Sequence, residues 1–217
     1  MRPPVLLVVA KAPVPGRAKT RLGQVVGMER AAELAAAALL DTLHAGIAAY
    51  GAERCHLAVE GELEGVPRAA EILAALAGWT VHAQRGDSFG QRLVHAHLDV
   101  AEATGAPVVQ VGMDTPQLTA SNLQEAGGLL TGRDSAVLGP AQDGGWWLLG
   151  VGSPHLVAHL ASVPMSTDRT GELTLAALEQ AGARTSLVEP LADVDEAHDA
   201  ATVALAAPRT HFAAAWR

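Results

Sequence analysis

The sequence has few of the features of a secreted or nucleic-acid-binding protein. A single cysteine, Cys55, excludes an intrachain disulfide framework and is typical of a reducing cytoplasm. The 15 Lys and Arg residues are outnumbered by 23 Asp and Glu, giving a formal charge of −8. Broad binding to nucleic acids or anionic membranes needs a basic face, which this balance does not favour. We therefore expect a cytoplasmic protein with no nucleic-acid or membrane partner, and a homodimer is left open.

Long hydrophobic runs and aromatic residues are also scarce. The apolar run VLLVVA at residues 5–10 is far shorter than the ~20 residues of a membrane helix, and the first residues lack the hydrophobic region of a signal peptide. Aromatic residues make up only 3%, so Ala, Leu and Val must fill the core, for which a hydrophobic content of 49% is ample. A chain of this length without a clear linker predicts one domain over residues 1–217.

Short β-branched runs alternate with Ala- and Leu-rich stretches along the chain. The runs predict strands at residues 5–10, 55–60, 80–84, 107–112, 135–139, 146–151 and 185–189. The stretches predict helices at residues 28–50, 67–77, 88–104, 119–130, 170–181 and 196–206. This alternation predicts an α/β fold with a mostly parallel sheet, helices on both faces, and ligands beyond the carboxyl ends of the strands. Residues 134–151 carry two strands around PAQDGG with no helix between them, which predicts a small antiparallel hairpin extension.

Four cations follow the first predicted strand in the stretch VVAKAPVPGRAKTRLG. Lys11, Arg17, Lys19 and Arg21 lie within eleven positions, and Gly16 permits an unusual turn. We call residues 11–21 the cation loop. It matches neither the Walker A pattern nor the dinucleotide fingerprint. Such a cluster binds a diphosphate or triphosphate through charge-assisted hydrogen bonds, or it is simply solvated surface.

Acidic residues follow three other predicted strands. Asp114, in VVQVGMDTPQLT, is placed to hold Mg²⁺ or Mn²⁺, or else to form a turn before the next helix. Asp143, in GPAQDGG, is a candidate base beside Gly144 and Gly145, which leave room for a substrate, although Asp-Gly is also an ordinary hairpin signal. In LADVDEAHDA, Asp193 and Asp195 are spaced to face one cation, or Asp195 is only a helix N-cap.

These segments in this order resemble one family. The patterns are K-A-P-x-P-G-x-x-K-T-R-L, G-x-D-T-P-x-L and G-P-A-x-D-G-G-x-x-L-x-G. Together they are similar to bacterial transferases associated with radical-SAM and selenium-related genes, within the nucleotide-diphospho-sugar transferase superfamily. That resemblance covers residues 5–200 and implies a GT-A-like domain, a glycosyltransferase activity and a Mg²⁺ or Mn²⁺ cofactor.

The resemblance also implies roles for individual residues. The nucleotide-phosphate loop would comprise Lys11, Gly16, Arg17, Lys19 and Arg21. The metal would be held by Asp114 and by Asp195 or Asp193, although Glu196 and Ala200 depart from the D-V-D-T-x-x-D-L pattern of the superfamily. The transferred group would be bordered by Asp143, Gly144 and Gly145. In QRGDSFGQRL, Arg85, Asp87 and Arg92 are candidates to approach the ligand, while Asp87 or Ser88 is an alternative helix cap.

Two reactions remain open on the sequence. In glycosyl transfer, Asp143 is the candidate base for a small acceptor that attacks a nucleoside diphosphate sugar. In nucleotidyl transfer, a phosphorylated acceptor attacks a nucleoside triphosphate, and Lys19 or Arg21 offsets charge on the departing pyrophosphate. Many GT-A enzymes carry an Asp-x-Asp pattern at this strand, whereas this chain has the single Asp114. That single aspartate also resembles the pattern of the nucleotidyltransferases of the superfamily. A third alternative is nucleotide binding without turnover.

Overall fold

The computed structural model describes residues 2–217, which form a seven-stranded sheet with helices on both faces. Its strands are β1 (Val5–Lys11), β2 (Cys55–Glu60), β3 (Thr80–Ala83), β4 (Val108–Val111), β5 (Ser135–Pro140), β6 (Trp146–Val151) and β7 (Arg184–Leu187). Its α-helices are α1 (Thr20–Val26), α2 (Met28–Tyr50), α3 (Ala69–Ala75), α4 (Phe89–Thr104), α5 (Ala120–Leu129), α6 (Thr170–Gln180), α7 (Ala197–Ala206) and α8 (His211–Trp216). Each strand and helix expected from the sequence is present, with ends within two residues of the prediction.

The strand order is β3-β2-β1-β4-β6-β5-β7. Among the described residues β6 alone runs antiparallel to its neighbours β4 and β5, and the other strands share one direction. The predicted antiparallel hairpin of β5 and β6 is therefore confirmed. Its strand β6 pairs with β4 and so joins the hairpin to the parallel strands β1 to β4. Because β1, β2 and β4 are adjacent and parallel, the segments that follow them meet at the same edge of the sheet. We call this the carboxyl edge.

The central strand β1 is buried on both faces, as expected of a strand inside a parallel sheet. Leu6 and Val8 pack with α2, α3 and α5 in one cluster. Leu7 and Val9 belong to a second cluster that includes residues of α4. The continuous apolar run VLLVVA follows from this two-sided burial, which holds the carboxyl end of β1 in a fixed position.

Helix α2 has the bounds that its 3,4-spaced apolar residues predicted. Within residues 2–217 it is the one helix long and apolar enough to cross a membrane by length and composition, with a mean hydropathy of 1.3 over its best window. Inside the fold, 78% of that window is buried, as in the core helix of a globular domain.

Besides the short 3₁₀ helix Ala52–Arg54, three helical segments were not expected from the sequence. Helix α1 begins at Thr20, inside the cation loop, and its N-cap, Lys19, has a left-handed backbone and no side-chain cap bond. Helix α8 is capped from a distance, because the Asp41 carboxylate on α2 accepts hydrogen bonds from the backbone N–H groups of His211 and Phe212. The 3₁₀ helix Pro154–Ser162 packs against α4. Short helices held by tertiary contacts leave little periodicity in the sequence.

A buried histidine makes the stability of the fold dependent on pH. His97 of α4 is fully buried, with Nε2 3.0 Å from Gln110 Oε1, and burial lowers its pKa from 6.5 to about 4 despite that hydrogen bond. The unfolded chain therefore takes up this proton first as the pH falls. Stability should be full above pH 6.5 and fall progressively towards pH 4, by up to ~3 kcal/mol from this residue.

Urea unfolding at pH 7, 6 and 5 measures this dependence. His97→Gln removes the titration while keeping a polar partner for Gln110. Between pH 6.5 and pH 4, the free energy of unfolding of this variant should fall by ~1.4 kcal/mol less per pH unit than that of wild type. The buried His56 of β2, whose pKa burial also lowers to about 4, remains in both proteins and supplies the residual slope. Equal slopes in the two proteins would rule out His97 as the source.

Candidate functional site

A cleft of about 640 Å³ lies at the carboxyl edge of the sheet. This volume lies within the usual range of small-molecule sites. Its floor is formed by the ends of β1, β2 and β4, and its walls include the cation loop, the β5–β6 hairpin and residues 165–168. The cation loop and the three acidic segments singled out above therefore meet in one place, as the parallel topology predicted.

Lys19 connects the segments directly. Its ammonium Nζ lies 2.9 Å from Asp114 Oδ2 and 2.8 Å from Asp195 Oδ1, across 95 and 176 residues of sequence. Only 12% of the lysine side chain is exposed. Arg21 Nη1 lies 3.3 Å from Asp195 Oδ2 but is largely exposed, so it forms the outer part of the same network.

Backbone contacts hold the carboxylates in place. Asp114 follows β4, and its carbonyl oxygen accepts a hydrogen bond of 2.9 Å from the backbone N–H of Val194, which is buried. This bond fixes the segment that carries Asp193 and Asp195 against the end of β4. Asp195 is not the N-cap of α7: that position is Glu196, so the Asp195 side chain is free to face Lys19.

The electrostatics of the cluster are dominated by crowded negative charge. Burial raises the pKa of the Asp193 carboxyl to about 6, and the nearby Asp114, Asp143 and Asp195 add to that rise. Burial would raise the pKa of Asp195 as well, but Lys19 and Arg21 hold it below its usual value. Burial would lower the pKa of Lys19, yet the two carboxylates outweigh it and hold the lysine protonated. The cluster therefore favours an additional positive charge.

The donor set suits a hard divalent cation. Within residues 2–217, one group of potential metal ligands has its oxygens within 4.8 Å of one another, and it comprises Asp114, Asp193 and Asp195. Oxygens around an octahedral Mg²⁺ lie ~3–4.2 Å apart, so small side-chain rotations would bring these three around one ion. Carboxylate oxygens without His or Cys favour Mg²⁺ or Mn²⁺ over zinc. Both aspartates considered as the second metal contact are thus present in the cluster.

The remaining cation-loop residues lie around the rim of the cleft. Lys11 Nζ is 3.9 Å from Glu60 Oε1, and Arg17 lines the cleft as an exposed side chain. Gly16 has φ +74° with open space around it and lies outside the cleft lining, so its role is to allow the turn. The loop therefore presents three cations beside the buried Lys19.

In the β5–β6 hairpin, Gly144 does not have the role that the sequence suggested. The Asp143 Oδ1 atom accepts a hydrogen bond of 2.7 Å from the Gly145 backbone N–H, and both residues line the cleft. Gly144, with φ +87°, does not line it. A Cβ there would collide with the Asp168 carbonyl oxygen, and the Gly144 oxygen accepts a hydrogen bond from Gly171. The glycine makes room for the 165–168 segment of the protein itself, not for a substrate.

The opposite wall of the cleft was largely missed from the sequence. It comprises Glu60 at the end of β2, Gln84 after β3, and Phe89 and Arg92 on α4. The Arg92 guanidinium lies 5.7 Å from the centre of the Phe89 ring and 3.7 Å from Glu60. The signal for this wall was the parallel topology, which places the ends of β2 and β3 beside β1.

Of the candidates in the QRGDSFGQRL segment, only some line the cleft. Arg92 lies in the cleft, whereas Arg85 pairs with Asp99 on the outside of α4 and Asp87 is an exposed residue outside the cleft lining. Ser88 is the N-cap of α4, since its hydroxyl oxygen accepts a hydrogen bond from the Gln91 backbone N–H. The capping alternative is thus confirmed for Ser88. Trp147 is buried in the core, and both Trp146 and Trp147 line part of the cleft.

Comparison with solved structures confirms the GT-A-like α/β fold. A protein of Desulfovibrio desulfuricans G20, assigned as a nucleotide-diphospho-sugar transferase, is 26% identical, with a TM-score of 0.83 over 99% of this chain and 94% of that one. A cytidylyltransferase of Leptospira borgpetersenii is 15% identical, with a TM-score of 0.53 over 87% and 76% of the two chains. Rv0371c of Mycobacterium tuberculosis, in complex with manganese, is 19% identical, with a TM-score of 0.50 over 92% and 97%.

Sequence comparison identifies the family. No curated protein matches the chain. The family described as "Uncharacterized protein conserved in bacteria (DUF2064)" matches residues 42–167, more than half of the chain, including β2 to β6 and the segments with Asp114 and Asp143. The chain therefore belongs to the DUF2064 family.

Proposed function

We propose that this protein is a divalent-metal-dependent, nucleotide-utilising transferase that moves a glycosyl group from a nucleoside diphosphate sugar to a small acceptor. The observation that carries this proposal is the junction of a cation loop and a carboxylate cluster in one cleft, joined through Lys19. The likeness to the D. desulfuricans protein supports the glycosyl choice. From the single cysteine we also propose a cytoplasmic location, and from the sequence motifs we propose membership of the radical-SAM- and selenium-associated group.

The metal would be held by the Asp114, Asp193 and Asp195 carboxylates. A bound Mg²⁺ or Mn²⁺ ion would supply positive charge that offsets the negative charge on a departing diphosphate. The manganese in the Rv0371c structure supports a metal of this class. The protein's own contribution is to hold three carboxylates against one another through the Val194–Asp114 backbone bond.

The cation loop would bind the phosphates. Arg17 and Arg21 are exposed and face the cleft, so their guanidinium groups are free to make paired hydrogen bonds to phosphate oxygens. Strand β2 lies two inter-strand spacings from β4, or ~9.5 Å. A nucleotide with its phosphates near Asp114 therefore reaches the wall formed by Glu60, Phe89 and Arg92 with its nucleoside.

Phe89→Ala tests this placement of the nucleoside. The ring is 43% exposed and lines the cleft, which is the exposure expected of a surface that stacks on a base or ribose. Loss of stacking should weaken nucleotide binding by ~1–3 kcal/mol, or roughly five- to a hundredfold. Calorimetry with a nucleoside diphosphate measures it, and inorganic pyrophosphate is the internal control because it has no base. A matched loss for both ligands would contradict the placement.

Asp143 is the proposed base for the acceptor hydroxyl. Its Oδ1 atom is engaged by the Gly145 N–H, which fixes the carboxylate at the rim of the cleft, and the residue is exposed. Residues 165–168 face the same space and would border the acceptor. The acceptor hydroxyl would lose its proton to Asp143 as its oxygen attacks the anomeric carbon and the nucleoside diphosphate departs.

A second candidate is nucleotidyl transfer. It is favoured by the number of cations around the cleft, since Lys11, Arg17, Lys19 and Arg21 suit a triphosphate at least as well as a diphosphate. In this reaction an acceptor phosphate attacks the α-phosphorus and pyrophosphate departs, with Lys19 or Arg21 beside it. The cytidylyltransferase with the same fold is compatible with this alternative.

A ligand panel distinguishes the two reactions. Nucleoside diphosphate sugars and nucleoside triphosphates are each added with Mn²⁺, and the melting temperature and then the released diphosphate are measured. A ligand at a hundred times its dissociation constant stabilises the fold by ~2.7 kcal/mol, which is readily detected. Stabilisation by nucleotide sugars with release of a nucleoside diphosphate supports glycosyl transfer. Preference for triphosphates with release of pyrophosphate supports the second candidate, and stabilisation by neither class contradicts both.

A further inference from the structure

Lys19 lies where a metal would be needed. Its Nζ atom contacts both Asp114 Oδ2 and Asp195 Oδ1 within 3 Å, and these residues supply two of the three carboxylates in the cluster. A metal bonded at ~2.1 Å to that Asp114 oxygen would lie no more than about 5 Å from the ammonium. Two cations at that separation, in a partly buried site, repel each other.

The lysine is also fixed in position. It is 12% exposed along its side chain, and its backbone has a φ of 48°, a left-handed conformation that is uncommon for residues other than glycine. The two partly buried ion pairs with Asp114 and Asp195 hold it there. In the free protein the carboxylates therefore already have a counter-ion, which a metal must displace or tolerate.

A phosphate group changes this balance. It offers Lys19 a new anionic partner on the side of the cleft lined by Arg17 and Arg21, and it adds oxygen ligands for the metal. We propose that Lys19 is an internal counter-ion that disfavours metal binding until a phosphate draws it away, so that metal and nucleotide bind as a pair. This inference rests on the proposed function for the existence of the metal and adds the order and coupling of binding.

The coupling is reciprocal, because two ligands that help each other bind do so by the same factor. Because the Lys19 ammonium repels a metal and attracts a phosphate, its removal should have effects of opposite sign on the binding of these two ligands. Metal alone should bind more tightly, since its competitor is gone, and phosphate should bind more weakly, since it loses a cation. A lysine that only stabilised the fold would not produce this opposition.

Titration calorimetry of Mn²⁺ alone, without nucleotide, tests the inference. Lys19→Met keeps most of the length of the side chain and removes its charge, and it should bind Mn²⁺ at least tenfold more tightly than wild type. Arg21→Met is the matched control: it makes the same change in net charge beside Asp195, but at an exposed position. It should tighten Mn²⁺ binding less than threefold.

Inorganic pyrophosphate supplies a second measurement on the unaltered protein. At saturation it should tighten Mn²⁺ binding to wild type at least tenfold, after correction for the complex that Mn²⁺ and pyrophosphate form in solution. This measurement tests the coupling even if Lys19→Met does not fold. Equal Mn²⁺ affinities for wild type and Lys19→Met, equal gains in the two variants, or no gain with pyrophosphate would overturn the coupling. Absence of Mn²⁺ binding by all three proteins, with or without pyrophosphate, would overturn the metal site itself.

Discussion

Replacing Asp114 with alanine is expected to abolish the metal dependence of nucleotide binding and to lower turnover at least a thousandfold. Asp114 is the carboxylate fixed at the end of β4, and its loss leaves two ligands from one short segment. A bound metal contributes several kcal/mol of charge stabilisation to such reactions, and ~4 kcal/mol corresponds to a thousandfold in rate. Lys19 keeps its contact with Asp195 at 2.8 Å, so the fold should survive.

The measurement is nucleotide titration with and without Mn²⁺, followed by product release under saturating ligand. Asp134→Ala is the matched control, because Asp134 precedes β5 at the opposite edge of the sheet and pairs with Arg184 on the surface. It should leave binding and metal dependence unchanged. An Asp114→Ala protein that still required Mn²⁺ for binding would place the metal elsewhere.

Arg21→Ala is expected to weaken nucleotide binding roughly ten- to a hundredfold while leaving the metal requirement intact. Arg21 is 64% exposed and contacts Asp195 only at 3.3 Å, so its guanidinium is available to a phosphate. Charge-assisted hydrogen bonds contribute ~1.5–3 kcal/mol, which gives that range of affinity. The loss should be similar for nucleotide and pyrophosphate, because the contact is with phosphate.

Calorimetry at two salt concentrations measures this effect, with Arg184→Ala at the opposite edge as the control. The difference between wild type and Arg21→Ala should shrink at high salt, since an exposed cation is screened. Unchanged affinity in Arg21→Ala would remove the outer arginine from the phosphate site and leave Lys11, Arg17 and Lys19 as candidates.

The fold was predictable because local signals agreed with the global arrangement. Helix α2 matched its predicted bounds since its apolar spacing ends at Gly27 and Gly51, both of which have positive φ. The placement of the cation loop beside Asp114 followed from one rule, that parallel strands end at the same edge. The hairpin was predicted because two strands flank PAQDGG with no helix between them, although the position of β6 between β4 and β5 was not predicted.

The details of the site depended on contacts that sequence spacing does not record. The bridge from Lys19 to Asp114 and Asp195 spans 95 and 176 residues. The role of Gly144 became visible only when Asp168 was seen to pack against it. Glu60 was not recognised because a single carboxylate after a strand has no pattern, whereas the cation loop stood out against an acidic chain.

The most direct test of the account is the position of Mn²⁺ in a crystal of the wild-type protein grown with Mn²⁺ and a nucleoside diphosphate, located by its anomalous scattering. We predict one peak within ~2.5 Å of oxygens of Asp114 and of Asp193 or Asp195, bridged to phosphates that contact Lys19 and Arg21. A Mn²⁺ peak away from these carboxylates, or a nucleotide bound outside the carboxyl-edge cleft, would contradict it.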